Sequence, residues 1–180
     1  MATLQERAQK IRLLICDVDG VLTDGKIYMA GDGELCKAFN VKDGMGITLL
    51  QTAGIAMAII TARSSKILER RMQELKVKHI FQGQRNKLVA FENVLETLGL
   101  TAQEVAYIGD DLPDRQVMLR VGLAACPQDA VTEIQAIAHY RCHNVGGNGA
   151  VREVTDLILS SQNRLQASIE ALFPNTPTHA

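Results

Sequence analysis

The chain has 180 residues, 47% of them hydrophobic, and its 19 basic and 20 acidic side chains give a formal net charge of −1 at pH 7. This length suits a single domain over residues 1–180, with a full hydrophobic core. The balanced charge argues against nucleic acid or an anionic membrane as a partner, and no apolar run is long enough to cross a bilayer. The charged N-terminus lacks the apolar centre of a signal peptide, so we expect a soluble cytoplasmic protein.

The first informative segment is the apolar run from Ile11 to Cys16, which predicts a buried strand. Asp17 and Asp19 follow it, and Gly20 then lets the chain turn sharply. Two carboxylates this close repel each other unless a cation or a shared proton compensates, and Mg²⁺ prefers such ligands. A carboxylate can also be the nucleophile in phosphoryl transfer. The alternative interpretation is an Asx turn in which one aspartate caps a helix.

The rest of the chain alternates between strand-like and helix-like segments. Residues 26–40 predict a small β-hairpin around the turn Gly31-Asp32-Gly33, and residues from about 163 to 180 predict a flexible tail. Further strands are predicted at 55–60, 79–82 and 105–108, and helices at 44–52, 64–75, 87–98, 115–120, 130–138 and 150–161. This order predicts an α/β fold of Rossmann-like type, a parallel sheet between two helical layers.

Three later positions carry candidate chemistry. Thr61 ends the second strand, where it could contact a ligand or cap the next helix. Lys87 opens a helix, where a cation gains nothing from the helix dipole, so it either serves another partner or is solvated. Asp110 follows the strand at 105–108 within G-D-D-L-P-D. In that motif, Asp114 could either cap the following helix or support a site.

These motifs, in this order, resemble those of the haloacid dehalogenase-like hydrolases. The resemblance implies that Asp17 attacks phosphorus, while Asp19 first protonates the leaving oxygen and then activates water. It also implies that Thr61 and Lys87 stabilise the transferring phosphoryl group. Mg²⁺ would be held by the carboxylates of Asp17 and Asp110 and by the backbone carbonyl of Asp19. Because the intervals 25–43 and 63–87 cannot hold a cap domain, the resemblance is to the capless branch.

Within that branch, the strings N-V-K-D-G, F-Q-G-Q-R-N-K and G-G-N-G-A-V-R-E resemble the 3-deoxy-D-manno-octulosonate 8-phosphate phosphatases over about residues 11–162. This implies hydrolysis of that sugar acid phosphate, in lipopolysaccharide precursor synthesis, by a homotetramer assembled through the hairpin. The implied substrate-binding residues are Asp19, Asn40, Val41, Lys42, Asp43, Gly44, Arg63, Arg71 and Lys87. Asn148 stands where that family usually has a basic residue.

Three alternatives remain at this point. The related 2-keto-3-deoxy-nononate 9-phosphate phosphatases tend to have Glu where this chain has Arg63, which favours the octulosonate. A nucleotide-binding oxidoreductase is suggested by Gly44 and Gly46, but Leu49 stands where the third glycine is needed. A catalytically idle scaffold would be expected to have lost one of the four main motif residues, and the chain keeps all of them.

Overall fold

The structure, a computed structural model, describes residues 2–31 and 33–174. Asp32 of the predicted hairpin turn and residues 175–180 of the predicted tail lie outside the described residues. Six parallel strands form the main sheet in the order β5-β4-β1-β6-β7-β8. They are β1 (Leu13–Cys16), β4 (Ala56–Ile60), β5 (His79–Phe81), β6 (Val105–Ile108), β7 (Leu123–Cys126) and β8 (Tyr140–Arg141).

A separate two-stranded hairpin stands between β1 and the first long helix, with antiparallel strands β2 (Tyr28–Ala30) and β3 (Gly33–Cys36). The helices are α1 (Leu4–Ala8), α2 (Val41–Thr52), α3 (Lys66–Glu74), α4 (Lys87–Leu98), α5 (Arg115–Met118), α6 (Thr132–Gln135), α7 (Ala150–Ser161) and α8 (Leu165–Leu172). Single 3₁₀ turns lie at Ala102–Glu104 and Leu112–Asp114.

The central strands are buried on both faces, which is why they consist of continuous apolar runs. Alternate side chains of β1 point to opposite sides: Leu14 and Cys16 pack with α2, α3 and α7, whereas Leu13 and Ile15 pack with α4, α5 and α6. The predicted three-layer α/β fold with a hairpin insertion is therefore confirmed. Between β1 and α2, the described residues hold only this hairpin and no cap domain.

The structure corrects the prediction of a flexible tail that begins at about residue 163. Leu165, Ile169 and Leu172 recur at helical spacing, and in α8 all three pack against the core cluster beneath α2 and α7. Burial of this apolar face stabilises the helix. Within residues 2–31 and 33–174, no helix combines the length and the apolar character that crossing a membrane requires.

Candidate active site

The candidate site begins at the carboxyl end of β1, directly after Cys16. The amide of Asp17 still donates to Ile108 of β6, at 3.0 Å, so the nucleophile candidate is fixed as an extension of the strand. The chain then turns at Gly20, where φ is +94°. A side chain at position 20 would place its Cβ 2.0 Å from Oδ2 of Asp110. Glycine there lets the loops after β1 and β6 approach closely and brings their carboxylates together.

Lys87 lies at the centre of the site, at the first position of α4, whose N-terminus is capped by Asn86. Its Nζ is 2.8 Å from Asp17 Oδ2 and 2.7 Å from Asp114 Oδ1, and its side chain is only 2% exposed. Burial would lower the pKa of Lys87, but the two carboxylates outweigh it and the pKa is raised. Of the two interpretations of this lysine, the structure supports the first: Lys87 is buried and pairs with two carboxylates, and it is not a solvated surface residue.

Asp114 is fully buried beneath the lysine and supports it. Its Oδ1 also accepts the hydroxyl of Tyr107 at 2.6 Å, and its Oδ2 accepts the amides of Asp110 and Asp111 at 3.0 and 3.3 Å. Its side chain makes no capping hydrogen bond to α5. Of the two predicted roles for this residue, the supporting one is therefore correct.

Tyr107 was missed by sequence reasoning. The signal was a hydroxyl-bearing side chain within the otherwise apolar strand V-A-Y-I, because a buried tyrosine hydroxyl needs a partner. In the structure that partner is Asp114, which links β6 through the lysine to Asp17. The chain Tyr107–Asp114–Lys87–Asp17 fixes the nucleophile candidate through buried hydrogen bonds.

The remaining carboxylate oxygens are suited to hold a cation. One oxygen from each of Asp17, Asp110 and Asp114 lies within 4.8 Å of the others. Within the described chain, Oδ1 of Asp17 and Oδ1 of Asp110 are buried without a hydrogen-bond partner. Both of these unpaired oxygens therefore fit a hard divalent cation, whereas the oxygens of Asp114 are already engaged.

The pKa values of Asp17 and Asp110 are both raised, by burial and by the carboxylates around them. Burial, followed by the negative charge of Asp114, raises the pKa of Asp17 to about 6, although Lys87 opposes the change. Burial and then the charges of Asp114 and Asp17 raise the pKa of Asp110 to about 8. A bound cation would relieve this accumulation of negative charge, so the electrostatics and the unpaired oxygens indicate the same ligand.

Asp19 lies at the edge of the site, facing two cations. Its Oδ1 accepts a hydrogen bond from Lys37, which follows β3 of the hairpin, and its Oδ2 lies 3.7 Å from Nε of Arg63. Lys37 is not among the site residues that were predicted from the sequence. Thr61 is buried at the end of β4, and its hydroxyl accepts the amide of Arg63 at 3.4 Å.

The predicted substrate segment from Asn40 to Gly44 forms the first turn of α2. Asn40 caps this helix, because its side-chain oxygen accepts the amide of Lys42 at 2.8 Å. Val41 and Lys42 are exposed to solvent. Gly44 lies under Arg71, because a Cβ at this position would be 2.6 Å from Nη2 of the arginine. The structure thus brings Arg71 beside the start of α2, as a shared binding role requires.

Asp43 differs from the prediction that it contacts substrate. Its side chain is 1% exposed, and its carboxylate accepts the amides of Gly149 and Arg152 at 3.2 and 2.8 Å. It therefore caps α7, where a negative charge favours the helix dipole. The glycine-rich loop before α7 also touches the nucleophile loop, since the amide of Gly147 donates to Val21 at 2.9 Å.

Asn148 and the glycines of α2 make contacts with other parts of the protein. The amide group of Asn40 donates to Asn148 at 3.5 Å, so the glycine-rich loop contacts the start of α2. Gly44 and Gly46 lie inside α2 rather than between a strand and a helix, and a Cβ at position 46 would be 2.4 Å from Oγ1 of Thr155. These glycines serve helix packing, and the dinucleotide-binding interpretation is wrong.

This arrangement of a strand-end aspartate, a buried lysine and a second acidic loop on an uncapped parallel sheet defines a haloacid dehalogenase-like hydrolase. A family model described as "Haloacid dehalogenase-like hydrolase" matches residues 33–126, and the chain belongs to that family. The chain is 53% identical over 163 residues to the 3-deoxy-D-manno-octulosonate 8-phosphate phosphatase of Yersinia pestis, covering 91% of this chain and 87% of that protein. With the phosphatase of Escherichia coli K12 it shares 51% identity over 159 residues, which cover 88% and 85% of the two chains.

Solved structures of such phosphatases have the same fold as this chain. The crystal structure of the Yersinia pestis phosphatase superposes with a TM-score of 0.89 at 53% identity, covering 91% of this chain and 88% of that chain. The Moraxella catarrhalis phosphatase, solved with magnesium, phosphate and KDO, superposes with a TM-score of 0.90 at 42% identity, covering 94% and 97%. The chain belongs to the family of 3-deoxy-D-manno-octulosonate 8-phosphate phosphatases, as the motifs predicted.

Proposed function

We propose that this protein is a Mg²⁺-dependent phosphomonoesterase that hydrolyses 3-deoxy-D-manno-octulosonate 8-phosphate to the free sugar acid and phosphate, a step in lipopolysaccharide precursor synthesis. One observation carries the proposal. Asp17 has one oxygen held by Lys87 and the other unpaired beside Asp110, next to Asp19. A nucleophile, a cation site and a proton donor are therefore assembled within one family scaffold.

The reaction follows from the roles of these side chains. A carboxylate oxygen of Asp17 attacks phosphorus in line, the bond from phosphorus to the sugar oxygen breaks, and an aspartyl-phosphate forms. Asp19 gives its proton to the departing sugar oxygen. The same carboxylate then takes a proton from water, which attacks phosphorus, releases phosphate and regenerates Asp17. One residue serves as acid and then as base because both steps occur on the same side of the phosphorus.

Charge is balanced mainly by buried groups. Lys87, fixed by Asp114, offsets the charge of Asp17 and of the phosphoryl oxygens, and Thr61 is placed to donate its hydroxyl to them. Mg²⁺, held by the side chains of Asp17 and Asp110 and the backbone carbonyl of Asp19, would supply further neutralisation of the phosphoryl group. The sugar acid carries a carboxylate as well as a phosphate, which accounts for additional cations at Arg63 and Arg71.

The proposal is tested by phosphate release from a panel of esters, with Mg²⁺ or with a chelator. The panel contains octulosonate 8-phosphate, nononate 9-phosphate and hexose phosphates. We expect the highest kcat/KM for octulosonate 8-phosphate and loss of turnover without the cation. A preference for nononate 9-phosphate would select the alternative substrate, and turnover in chelator would contradict the metal requirement.

We further propose that the protein is a homotetramer that assembles through the hairpin. Ile27, Tyr28, Met29 and Leu35 leave an apolar surface exposed on this two-stranded unit, which is marginally stable without packing. An uncapped site also gains from a neighbour that excludes water. The cytoplasmic location stays a prediction from the sequence.

Assembly is tested by light scattering on a charged hairpin variant. Leu35→Asp should lower the molar mass to that of a smaller species, because Leu35 is 63% exposed on the hairpin and a buried unpaired carboxylate destabilises an interface. Leu119→Asp is the matched control, since Leu119 is 56% exposed but lies after α5. A wild-type protein that is monomeric and fully active at assay concentration would contradict the proposed assembly.

A further inference from the structure

The hairpin contains an irregularity that redirects one of its side chains. Tyr28 pairs with Cys36, but the next residue, Met29, pairs with Glu34, so Leu35 is an extra residue on β3. In a regular strand, residues three apart point to opposite faces. One extra residue restores Glu34 and Lys37 to the same side, and a β-bulge of this kind re-aims side chains. The Nζ of Lys37 accordingly lies 3.1 Å from Oε1 of Glu34.

The side chain of Lys37 is buried, although the hairpin that precedes it is largely exposed. Its side chain is only 3% exposed, whereas the bulge residue Leu35 faces solvent. A buried ammonium group is unfavourable unless it is paired and hydrogen-bonded. Lys37 meets this requirement with two carboxylates, those of Glu34 and Asp19.

The pair is anchored to the body of the protein by a third residue. Glu34 accepts the hydroxyl of Ser65 through its other oxygen, Oε2. Ser65 is the N-cap of α3, and its Oγ accepts the amide of Leu68 at 3.2 Å. The chain Ser65–Glu34–Lys37 therefore fixes the ammonium group relative to a helix of the main domain, even though Lys37 itself belongs to the hairpin.

The two oxygens of Asp19 consequently have different surroundings. Oδ1 is hydrogen-bonded to Lys37, while Oδ2 has Arg63 Nε at 3.7 Å, which is longer than a hydrogen bond. We propose that Lys37 is a positioning residue that holds Oδ1 of Asp19, so that Oδ2 faces the leaving oxygen of the substrate. Because it concerns the acid–base step, this inference rests on the proposed function.

With Oδ1 held by Lys37, Oδ2 of Asp19 is the oxygen that gives and takes the proton. In the first step, the proton on Oδ2 passes to the sugar oxygen as its bond to phosphorus breaks. In the second step, Oδ2 takes a proton from the attacking water, and the water oxygen bonds to phosphorus. Lys37 keeps its own protons in both steps and supplies only orientation, so its loss should slow the first step most where the leaving oxygen needs protonation.

The experiment compares Lys37→Met with wild type on two esters. Octulosonate 8-phosphate releases a basic alkoxide, whereas p-nitrophenyl phosphate releases a stabilised phenolate that needs little protonation. For Lys37→Met we expect both kcat and kcat/KM on the sugar phosphate to fall about 10- to 100-fold, as misplacement of a reacting group does. We expect KM for the sugar phosphate to stay unchanged and kcat/KM on the aryl ester to fall less than about threefold. The constant kcat/KM reports only the first step, in which the aryl leaving group needs little protonation, whereas hydrolysis of the aspartyl-phosphate is the same for both esters.

Three further variants sharpen the comparison. Asp19→Asn should show the same selective loss of kcat/KM at larger size, and Lys37→Arg should recover part of the loss. Glu34→Gln should reproduce the selectivity in weaker form, and it serves as the substitute variant when Lys37→Met folds poorly. Lys26→Met is the matched control, because Lys26 lies just before β2 but is exposed and, among residues 2–31 and 33–174, forms an ion pair with Asp24 alone. We expect wild-type kinetics for this control.

Several results would overturn the inference. Equal losses of kcat/KM on both esters would make Lys37 a general structural residue, and a raised KM for the sugar phosphate with unchanged kcat would make it a substrate-binding residue. A change in molar mass that accounts for the loss would assign the effect to assembly. Wild-type protein that hydrolyses neither ester overturns the proposed function itself, an outcome that is recognised before any variant is compared.

Discussion

Replacing Asp17 by asparagine should leave a folded protein whose turnover falls by at least about 10⁴-fold, the scale of losing a nucleophile. The amide keeps the size of the side chain but cannot attack phosphorus to form the aspartyl-phosphate. It also removes one of the carboxylates whose mutual repulsion raises the pKa of Asp110. We therefore expect the melting temperature in chelator to be no lower than that of wild type.

The measurement is phosphate release beside thermal unfolding, with Asp156→Asn as the matched control. Asp156 forms an i,i+4 ion pair with Arg152 on α7 and belongs to no part of the proposed chemistry. Its loss should change turnover little, since such surface pairs contribute well under about 1 kcal/mol. Wild-type rates in a folded Asp17→Asn protein would exclude the covalent mechanism.

The second large effect is expected for Asp110→Asn, which should abolish both turnover and the stabilisation of the fold by Mg²⁺. In the part of the chain that the structure describes, Asp110 Oδ1 is one of the two buried side-chain oxygens without a hydrogen-bond partner, and both fit the cation. A ligand at a hundred times its Kd stabilises the folded state by about 2.7 kcal/mol, and this increment should disappear with the aspartate.

The same carboxylate gives a pH dependence with a definite sign. Its pKa is raised from 3.8 to about 8, so between these values the folded protein holds a proton that the unfolded chain has lost. Stability in chelator should therefore be highest below about pH 4 with respect to this group, and should decline as pH rises towards 8.

Thermal unfolding from pH 5 to pH 8 checks this behaviour. Mg²⁺ should oppose the decline, because it favours the ionised carboxylate. In Asp110→Asn the decline should be shallower and should no longer respond to Mg²⁺. Stability of the chelated wild type that rises steadily over this range would contradict the assigned electrostatics.

The sequence predicted those parts of the site that depend on strand order. Asp17, Thr61 and Asp110 each follow an apolar strand, and the carboxyl ends of parallel strands meet at one edge of a sheet. For Lys87, its place at a helix N-terminus left a solvated residue open, and its assignment to the site came from the resemblance to the haloacid dehalogenase-like hydrolases. The convergence of the strand ends required only the identity of neighbouring residues and the direction of the strands, whereas the roles of the side chains came from the resemblance.

The parts that sequence reasoning missed depend on geometry that no residue pattern encodes. Lys37 reaches Asp19 because of a bulge, and a bulge changes strand register without a distinctive sequence. Asp43 was assigned to substrate because it lies within a recognisable string, yet its direction on α2 takes it to the start of α7. The helix α8 was missed because its apolar spacing is short and lies beside a polar terminus.

The carboxylate of Asp43 limits where the chain can be truncated. It joins the beginning of α2 to the beginning of α7, more than 100 residues later, and the loop that leads into α7 also holds the turn after the nucleophile. The loop before α7 and the start of that helix are thus bound to the nucleophile loop and to α2, and they form part of the framework of the site. A fragment cut short before α7 would retain every motif aspartate and the lysine, yet would lack the support that gives those residues a common frame.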